Sequence, residues 1–331
     1  MKNKSLLITG GAGFIGSHLV EKLIKNNFIY IIDNFSNGNL DNIKFLKKYP
    51  KNYKLFKLDI NDINKIEKKI IKIDYIVHLA ALADIVPSIT NPENYFKSNV
   101  EGTFKILQFS LRKKVKKIIY SASSSCYGIP KRYPTKENEK INPQYPYALT
   151  KYLAEQMIIN WSNYYNLNFV SLRFFNVYGP RSRTSGTYGA VFGVFLAQKL
   201  AKKPLTIVGN GKQTRDFTYV LDVVDAIIKS MNSKIKNEIF NIGSSNTYSV
   251  NYLVSLLSKN KTYIPKRPGE PNCTWADISK AKKILKWEPK FKIEDGVNIM
   301  LKNINYWKKA KVWNKKDIEK ATSKWFHYLG K

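Results

Sequence analysis

Short apolar runs alternate with amphipathic segments of helical length along the first half of the chain. Runs such as SLLITG, FIYIID, DYIVHLA and VKKIIYSAS have the length and apolar content of buried strands, whereas FIGSHLVEKLIKN has the periodicity of a helix. Further helices are predicted near YFKSNVEGTFKILQFSLRKK and from Tyr147 onward. Because strands that alternate with helices form parallel sheets covered on both faces, the pattern predicts an α/β fold with a doubly wound parallel sheet.

The regular alternation loosens after Val177, where the loop YGPRSRTSGTYG begins. A helix near VFGVFLAQKLAK and a short strand, LTIVG, follow, and VLDVVDAIIKSM and EIFNIG then return to the helix and strand pattern of the first half. From about Tyr248 the chain predicts a small α/β lobe with more proline and polar residues. We therefore expect a sheet domain of residues 1–177 and 218–243, and a smaller C-terminal lobe of residues 178–217 and 244–331.

The formal net charge of +32 is typical of nucleic-acid and membrane-surface binders, but also of a chain with a general codon bias toward Lys, Asn and Ile. The lysines are scattered, as in KIEKKIIKI and RKKVKK, and no nucleic-acid recognition motif accompanies them. Only NYWKKAKVWNKK interleaves basic and aromatic residues, and we interpret it and the terminal helix WNKKDIEKATSKWFHYL as a packed tail. We expect no specific nucleic-acid partner, although a basic surface attracts anionic nucleotides.

No apolar stretch approaches the roughly 18 residues that a membrane-spanning helix needs, and the start MKNKSLLITG lacks the pattern of a signal peptide. The two cysteines, Cys126 and Cys273, lie far apart without metal-ligand spacing, and the three histidines suggest no metal cluster. These features predict a reduced, cytoplasmic protein with neither a membrane segment nor a metal site.

The first predicted strand runs into a glycine-rich turn, GGAGFIG. Gly10 permits the tight turn, Gly13 lets the backbone approach a diphosphate, and Gly16 allows the next helix to pack closely on the strand. Asp33 closes the second strand at the distance expected of a residue that binds the adenosine ribose hydroxyls, and no arginine follows it in DNFSNG. The turn therefore predicts a Rossmann-type domain that binds NAD rather than NADP. Asp59, at the end of the third strand, fits an adenine contact or a plain strand-end role.

Tyr147 and Lys151 are four residues apart in QYPYALTKYLAEQ, and so share one face of a helix. A free tyrosine has a pKa of about 10, too high for a base near neutral pH, but a neighbouring ammonium and the charge of a bound nicotinamide lower that pKa. The spacing alone is more typical of packing than of catalysis. A serine cluster, SASSSCYG, ends the preceding sheet strand, where ligands bind in such folds, and favours a catalytic role.

Several motifs in this order resemble those of the extended short-chain dehydrogenase/reductase family, and within it the NAD-dependent nucleotide-sugar epimerases and dehydratases related to UDP-glucose 4-epimerase. They are the glycine turn, DNFSNG, HLAA, SSSCYG, YALTK, RFFNVYGP, TRDFTYVLDV and WADISKAKKILKW, and they extend to about residue 300. The resemblance implies a catalytic set of Ser123, Tyr147 and Lys151. It implies cofactor contacts from Gly10, Gly13, Phe14, Ile15, Gly16, Asp33, Asn34, Asp59, Ile60, Leu79, Ala80, Ala81, Asn99, Tyr147 and Lys151. It implies substrate contacts from Ser123, Ser124, Ser125, Tyr147, Asn176, Arg215, Arg267 and Thr274.

The resemblance also implies a reaction. Tyr147 takes the proton of the sugar O4 while hydride leaves C4 for NAD, and the 4-keto sugar then turns over and receives hydride on its other face. Arg215 and Arg267 hold the substrate diphosphate, as suits bidentate recognition by guanidinium groups. A homodimer that pairs the helices near residues 95–113 and 147–162 with their copies is a further implication.

Two serines distinguish this chain from other members of the family. Sugar-nucleotide 4,6-dehydratases place Asp-Glu directly after the catalytic Ser/Thr, and UDP-glucuronate decarboxylases carry the glutamate, whereas this chain has Ser124 and Ser125. Serine cannot act as general acid and base in the elimination of water. The sequence therefore favours a 4-epimerase of a nucleotide-linked, UDP-bearing hexose over a dehydratase or a decarboxylase.

The sugar is less constrained by the sequence. Thr274 precedes the WAD motif where some UDP-galactose epimerases have a tyrosine, and the smaller residue leaves room for an N-acetyl group. Arg181 and Arg183 are candidates for a uronate carboxylate, which keeps a UDP-glucuronate 4-epimerase open. The sequence is also compatible with a net oxidoreductase and with a binding protein that has lost turnover.

Overall fold

The computed structural model describes residues 1–182 and 191–330 of the chain. Arg183 and most of the loop predicted after Tyr178 lie outside the described residues. The strands are β1 (Ser5–Thr9), β2 (Phe28–Asp33), β3 (Tyr53–Lys57), β4 (Tyr75–His78), β5 (Lys117–Ser123), β6 (Phe169–Phe174), β7 (Val177–Tyr178), β8 (Leu205–Val208), β9 (Thr214–Arg215), β10 (Thr218–Tyr219), β11 (Glu238–Ile242), β12 (Tyr248–Ser249) and β13 (Lys261–Ile264). The α-helices are α1 (Phe14–Leu23), α2 (Ile85–Thr90), α3 (Pro92–Phe96), α4 (Gly102–Arg112), α5 (Pro146–Tyr165), α6 (Val191–Leu200), α7 (Val220–Asn232), α8 (Val250–Leu257), α9 (Ile293–Lys302) and α10 (Lys315–Leu329).

A parallel sheet of seven strands, counted over the described residues, forms the centre of the protein, in the order β11-β6-β5-β4-β1-β2-β3. Its middle strands are buried on both faces, which explains why their sequences read as continuous apolar runs. Leu7, for example, lies opposite Tyr30 of β2 and Ile76 of β4. The predicted doubly wound α/β fold is confirmed.

Helices cover both faces of this sheet. On one face α1 packs against α7, and their buried side chains share a core with the alternate residues of β1 and β2. On the other face α4 packs against α5, and Ile106 and Ile158 join Leu7 and Ile76 in a second core. Because both faces are covered, the carboxyl ends of the strands are where a large ligand reaches the sheet.

A second lobe surrounds a third apolar core, which includes Tyr178, Phe192 and Leu253. Here β8 pairs in parallel with β13, β9 pairs antiparallel with β12, and α6, α8 and α9 supply buried side chains. The ring of Tyr178 stacks on that of Phe192 with centroids 4.6 Å apart.

Two segments after Val177 pack with the sheet domain. β11, which lies in the segment 218–243 expected to belong to that domain, pairs with β6. Trp287 is also fully buried in the core shared by α1 and α7, and its Nε1 donates to the Asp222 carbonyl at 3.0 Å. The expected lobe of residues 244–331 therefore includes a segment that packs against the sheet domain.

No helix among the described residues is both long and apolar enough to span a bilayer. Over the same residues, the His, Cys, Asp and Glu side chains form no group of three that could hold a metal ion. Both cysteines are free thiols, and Cys126 is buried.

Candidate active site

A cleft of about 820 Å³ lies at the carboxyl ends of the central strands and reaches into the second lobe. Its wall contains every residue predicted to contact cofactor or substrate except Asn99. The amide of Asn99 is instead buried and occupied, since its Oδ1 accepts from the Leu82 amide at 2.8 Å and its Nδ2 donates to the Leu82 carbonyl and to Thr150. Asn99 thus fixes the loop after β4, whose residues do line the cleft, and its contact with the cofactor stays a prediction.

The glycine turn forms one end of the cleft. Gly10 has a φ of +69°, and a Cβ at Gly16 would lie 2.1 Å from the Gly10 carbonyl oxygen, so neither position accepts a side chain without rearrangement. Gly13 precedes the first residue of α1. The N-terminus of α1 therefore opens into the cleft with its amide groups close to any bound anion, and this cradle fits the diphosphate of a dinucleotide.

Asp33, at the end of β2, lines the same part of the cleft. Its Oδ2 accepts from the Ala12 amide at 2.9 Å and its Oδ1 from the Phe35 amide at 2.8 Å. Burial raises the pKa of this carboxyl, although these hydrogen bonds oppose the rise. The carboxylate is thus held in a fixed orientation where it can accept the hydroxyls of a ribose, and the residues fit NAD.

Asp59 caps a short helix and lines the cleft, so its strand-end role is structural and its adenine contact stays a prediction. Its Oδ1 accepts from the Asn61 amide at 2.9 Å and so caps a 3-10 helix that begins at Ile60. Its Oδ2 accepts from the Asn34 side chain at 2.8 Å, and both side chains line the cleft.

Ser123 and Tyr147 meet at the centre of the cleft. Ser123 ends β5, accepts a hydrogen bond from the Ser125 amide at 3.2 Å and lies 2.8 Å from the Ser125 hydroxyl. Tyr147 enters from the first turn of α5, which starts at Pro146, a residue that suits the beginning of a helix. Burial raises the pKa of Tyr147, and its hydrogen bond with Ser123 opposes that rise. The expected lowering of this pKa by Lys151 is not observed in the protein alone.

Lys151 lies one turn further along α5 and is only 4% exposed. Its Nζ lies 4.3 Å from the centre of the Tyr120 ring, in a cation–π arrangement. Burial lowers the pKa of this lysine to about 7, and the negative charge of Glu155 limits the decrease.

A buried ion pair joins this helix, α5, to strand β6 of the sheet. Arg173 of β6 and Glu155 of α5 are joined by an Nη2–Oε2 contact of 2.6 Å, and Arg173 also donates to the Tyr127 hydroxyl at 2.9 Å. Ser171 donates to the other oxygen of Glu155 at 2.6 Å. Sequence reasoning missed this pair, although Glu155 follows Lys151 by one helical turn and could have been found from that spacing.

The two arginines predicted to hold a diphosphate share a carboxylate. Glu270 lies 2.9 Å from Arg267 and 3.7 Å from Arg215. All three side chains line the second-lobe end of the cleft. Sequence reasoning did not single out Glu270, because only the fold brings β9 beside the loop that carries it.

Asn176 and Thr274 lie together between this end and the serines. Asn176 donates to the Thr274 hydroxyl at 2.8 Å and to the Asp216 carbonyl at 3.1 Å, and both residues line the cleft. Arg181, the candidate for a uronate carboxylate, lines the cleft, and it is paired with Glu21 and packs over the Phe45 ring.

The last part of the chain contributes two cleft residues that sequence reasoning treated as tail. Tyr306 lines the cleft and donates to Asn42 at 2.8 Å. Trp325 of α10 lines it beside Tyr145 and Arg267. The predicted terminal helix is confirmed, but it also reaches the site.

Comparison with known proteins agrees with this geometry. A family model described as GDP-mannose 4,6 dehydratase matches residues 7–300. The fold is similar to that of a UDP-N-acetylglucosamine 4-epimerase from Methanobrevibacter ruminantium solved with UDP-N-acetylmuramic acid, with a TM-score of 0.86, 34% identity, and 93% of this chain and 98% of that chain covered.

Two further solved structures are similar to this chain. A UDP-glucose 4-epimerase from Thermotoga maritima, solved with UDP-glucose, has a TM-score of 0.84 and 35% identity, with 92% of this chain and 99% of that chain covered. A UDP-glucuronic acid 4-epimerase from Bacillus cereus, solved with UDP-glucuronic acid and NAD, has a TM-score of 0.83 and 32% identity, with 91% and 99% covered.

Proposed function

Because the chain belongs to the nucleotide-sugar epimerases and dehydratases of the extended short-chain dehydrogenase/reductase family, we propose that it is an NAD-dependent 4-epimerase of a UDP-linked hexose. The observation that carries this proposal is that Ser123, Tyr147 and Lys151 line the same cleft, with two serines where a dehydratase has acids. The Ser125 hydroxyl lies 2.8 Å from that of Ser123 and has no acidic proton to contribute.

The residues divide the reaction among them. NAD, when bound, would supply the reversible hydride acceptor that inversion of C4 needs. Tyr147 removes the proton of the sugar O4 and returns it, while Ser123 holds the same oxygen through its hydroxyl. Lys151, as an ammonium, stabilises the phenolate form of Tyr147. No further acid or base is required, which agrees with Ser124 and Ser125.

The cofactor is proposed to lie along the glycine turn, with Asp33 on the adenosine ribose. The substrate diphosphate is proposed to bind Arg215 and Arg267, which requires Glu270 to give up or share its contact with them. Thr274 leaves space near the sugar, which supports acceptance of N-acetylated hexoses. The pairing of Arg181 with Glu21 gives no support to a role in uronate binding.

A homodimer through α4 and α5 and a cytoplasmic location are also proposed. Leu149 on α5 and Phe96 at the end of α3 are each 46% exposed, and Tyr164 and Tyr165 at the end of α5 are more exposed still. Such a surface is suited to a second copy. Light scattering that gives the mass of one chain at micromolar concentration would contradict the dimer.

The test is to incubate the purified protein and NAD with UDP-glucose, UDP-N-acetylglucosamine and UDP-glucuronate, and to identify products by NMR. We expect a C4-inverted product from at least one of them, and a loss of kcat by about 10²–10⁴-fold for Tyr147→Phe. Tyr152→Phe, on another face of the same helix, is the matched control and retains activity.

Two results would overturn the proposal. One is a protein that binds NAD but inverts none of the nucleotide sugars. The other is stoichiometric release of reduced nicotinamide, measured by absorbance, which would indicate a net oxidoreductase. Undiminished activity of Tyr147→Phe would refute the assigned role of that residue.

A further inference from the structure

The C-terminal helix α10 lies at the substrate end of the cleft. It packs against α2, whose first residues line the cleft from the sheet domain. Trp325, in the last two turns of α10, is 1% exposed and is itself part of the cleft wall. The helix therefore touches both the sheet domain and the loop that carries Arg267.

The surroundings of Trp325 differ from those of a packing residue. Trp325 does not belong to any of the three apolar cores that the described residues form. Its ring centre lies 5.4 Å from the Arg267 guanidinium carbon, and its Nε1 donates to the Pro268 carbonyl at 2.7 Å. A cation and a carbonyl from one short loop thus occupy the face and the edge of a single indole.

The loop that Trp325 contacts carries Arg267, one of the two arginines proposed to bind the diphosphate. Gly269, directly after Pro268, has a φ of +72°, so the chain turns sharply there before Glu270. Glu270 in turn contacts Arg267 and Arg215. Fixing the Pro268 carbonyl therefore constrains Arg267 directly, and Arg215, which lies on β9, only through Glu270.

On its other side Trp325 touches aromatic residues that lead to the proton-transfer group. Its ring centre is 6.4 Å from that of Tyr145, and the Tyr145 ring is stacked on that of Tyr147, with centroids 6.4 Å apart and planes 6° apart. The row Trp325, Tyr145 and Tyr147 spans the cleft wall from the diphosphate end to the catalytic hydroxyl.

We propose that Trp325 is a positioning residue for the nucleoside-diphosphate part of the substrate. Its ring orients Arg267, and its Nε1 orients the loop through the Pro268 carbonyl. Its contact with Tyr145 fixes the position of this loop relative to Tyr147. This inference rests on the proposed function, since it takes the substrate to be a nucleotide sugar.

The test compares Trp325→Ala and Trp325→Phe with Phe326→Ala, a control at the neighbouring, partly exposed position of the same helix. For each full-length protein, UDP and NAD affinities are measured by calorimetry, and kcat and KM for the sugar substrate by product formation. Cation–π contacts of this kind predict that Trp325→Ala weakens UDP binding and raises KM by about tenfold. Trp325→Phe, which keeps a ring but loses the Nε1 donor, is expected to recover most of that loss.

Selective loss is the decisive result. NAD affinity should stay within about twofold of the wild-type value in every variant, because Trp325 contacts Arg267, Pro268 and Tyr145, none of which is proposed to bind NAD. The proposal is overturned if UDP and NAD binding fall together, as for a merely structural residue, or if both Trp325 variants bind UDP as Phe326→Ala does. If Trp325→Ala does not fold, Trp325→Phe alone tests the proposal. An increase in KM of about threefold would support it, and an unchanged KM would overturn it. If the wild-type protein epimerises nothing, the proposed function fails, whereas the UDP measurement still judges Trp325.

Discussion

The buried charge of Lys151 should lower the free energy of unfolding of the protein. An ammonium group that is 4% exposed has lost nearly all of its hydration, and burial lowers its pKa to about 7. Lys151→Met removes the charge while keeping the length and apolar stem of the side chain. We expect the nucleotide-free variant to be more stable than the wild-type protein at pH 7, and to be inactive.

The magnitude follows from the pKa. The difference between an unfolded value of 10.5 and a native value of about 7, at about 1.4 kcal/mol for each pH unit, places the cost near 4 kcal/mol at pH 7. Contact with the Tyr120 ring favours the charged form and offsets about 0.5–2 kcal/mol of this. A gain of about 2–4 kcal/mol is therefore expected for the variant.

The sign can be checked through the pH dependence. Between pH 7 and about 10 the unfolded chain binds more protons at this lysine than the native protein does, so wild-type stability rises with pH across that window. The advantage of Lys151→Met is thus largest at and below pH 7 and fades toward pH 10. Free energies of unfolding from urea titrations at pH 6 to 9 would measure it, with the exposed Lys68→Met as control. A variant less stable than wild type at pH 7, or a difference that does not change with pH, would refute the reasoning.

Three further changes test other parts of the site. Gly16→Ala introduces a Cβ that would lie 2.1 Å from the Gly10 carbonyl oxygen, so NAD affinity should fall at least about tenfold by calorimetry; unchanged affinity would contradict the cradle. Asp33→Asn should weaken NAD about tenfold and improve binding of NADP relative to NAD, because the repulsion of a 2′-phosphate is lost; an unaltered ratio would exclude the ribose role. Glu155→Gln leaves the Arg173 guanidinium buried without its counter-ion and should lower the free energy of unfolding by about 3–5 kcal/mol. Adding Arg173→Met to Glu155→Gln should restore much of the lost free energy of unfolding. A double variant that is no more stable than Glu155→Gln would show that the unpaired guanidinium does not cause the loss.

The strands of the sheet could be predicted because each one is marked by a local run of apolar residues. β1, β2 and β4 are short apolar runs, and each is followed by a turn or helix that the sequence marks clearly. The apolar pattern does not record which strands lie at the edges. That β11 ends the sheet beside β6 depends on packing between segments far apart in the chain.

The site was predictable where one motif fixes both position and chemistry, as for Gly10 and Asp33. Properties of the site that depend on burial and on distant segments of the chain could not be predicted. The sequence suggested that Lys151 lowers the pKa of Tyr147, but the pKa of Tyr147 rises in the protein alone because the phenol is buried. Trp325 reads as a tail aromatic because nothing in its neighbours along the chain indicates that α10 folds back onto the Pro268 loop.

The late return of β11 affects how the protein is synthesised. When β6 leaves the ribosome it is the last strand on its side of the sheet, and its unpaired N–H and C=O groups stay available until Glu238–Ile242 follow. In the interval the ribosome makes α6 and the first strands of the second lobe. Domains fold as they emerge, from the N-terminus onward, and an open strand edge invites pairing with another nascent chain. The sheet domain can therefore close this edge only after residues 178–217 of the second lobe have been translated, so a stop before residue 238 would release a fragment with an open, aggregation-prone strand edge.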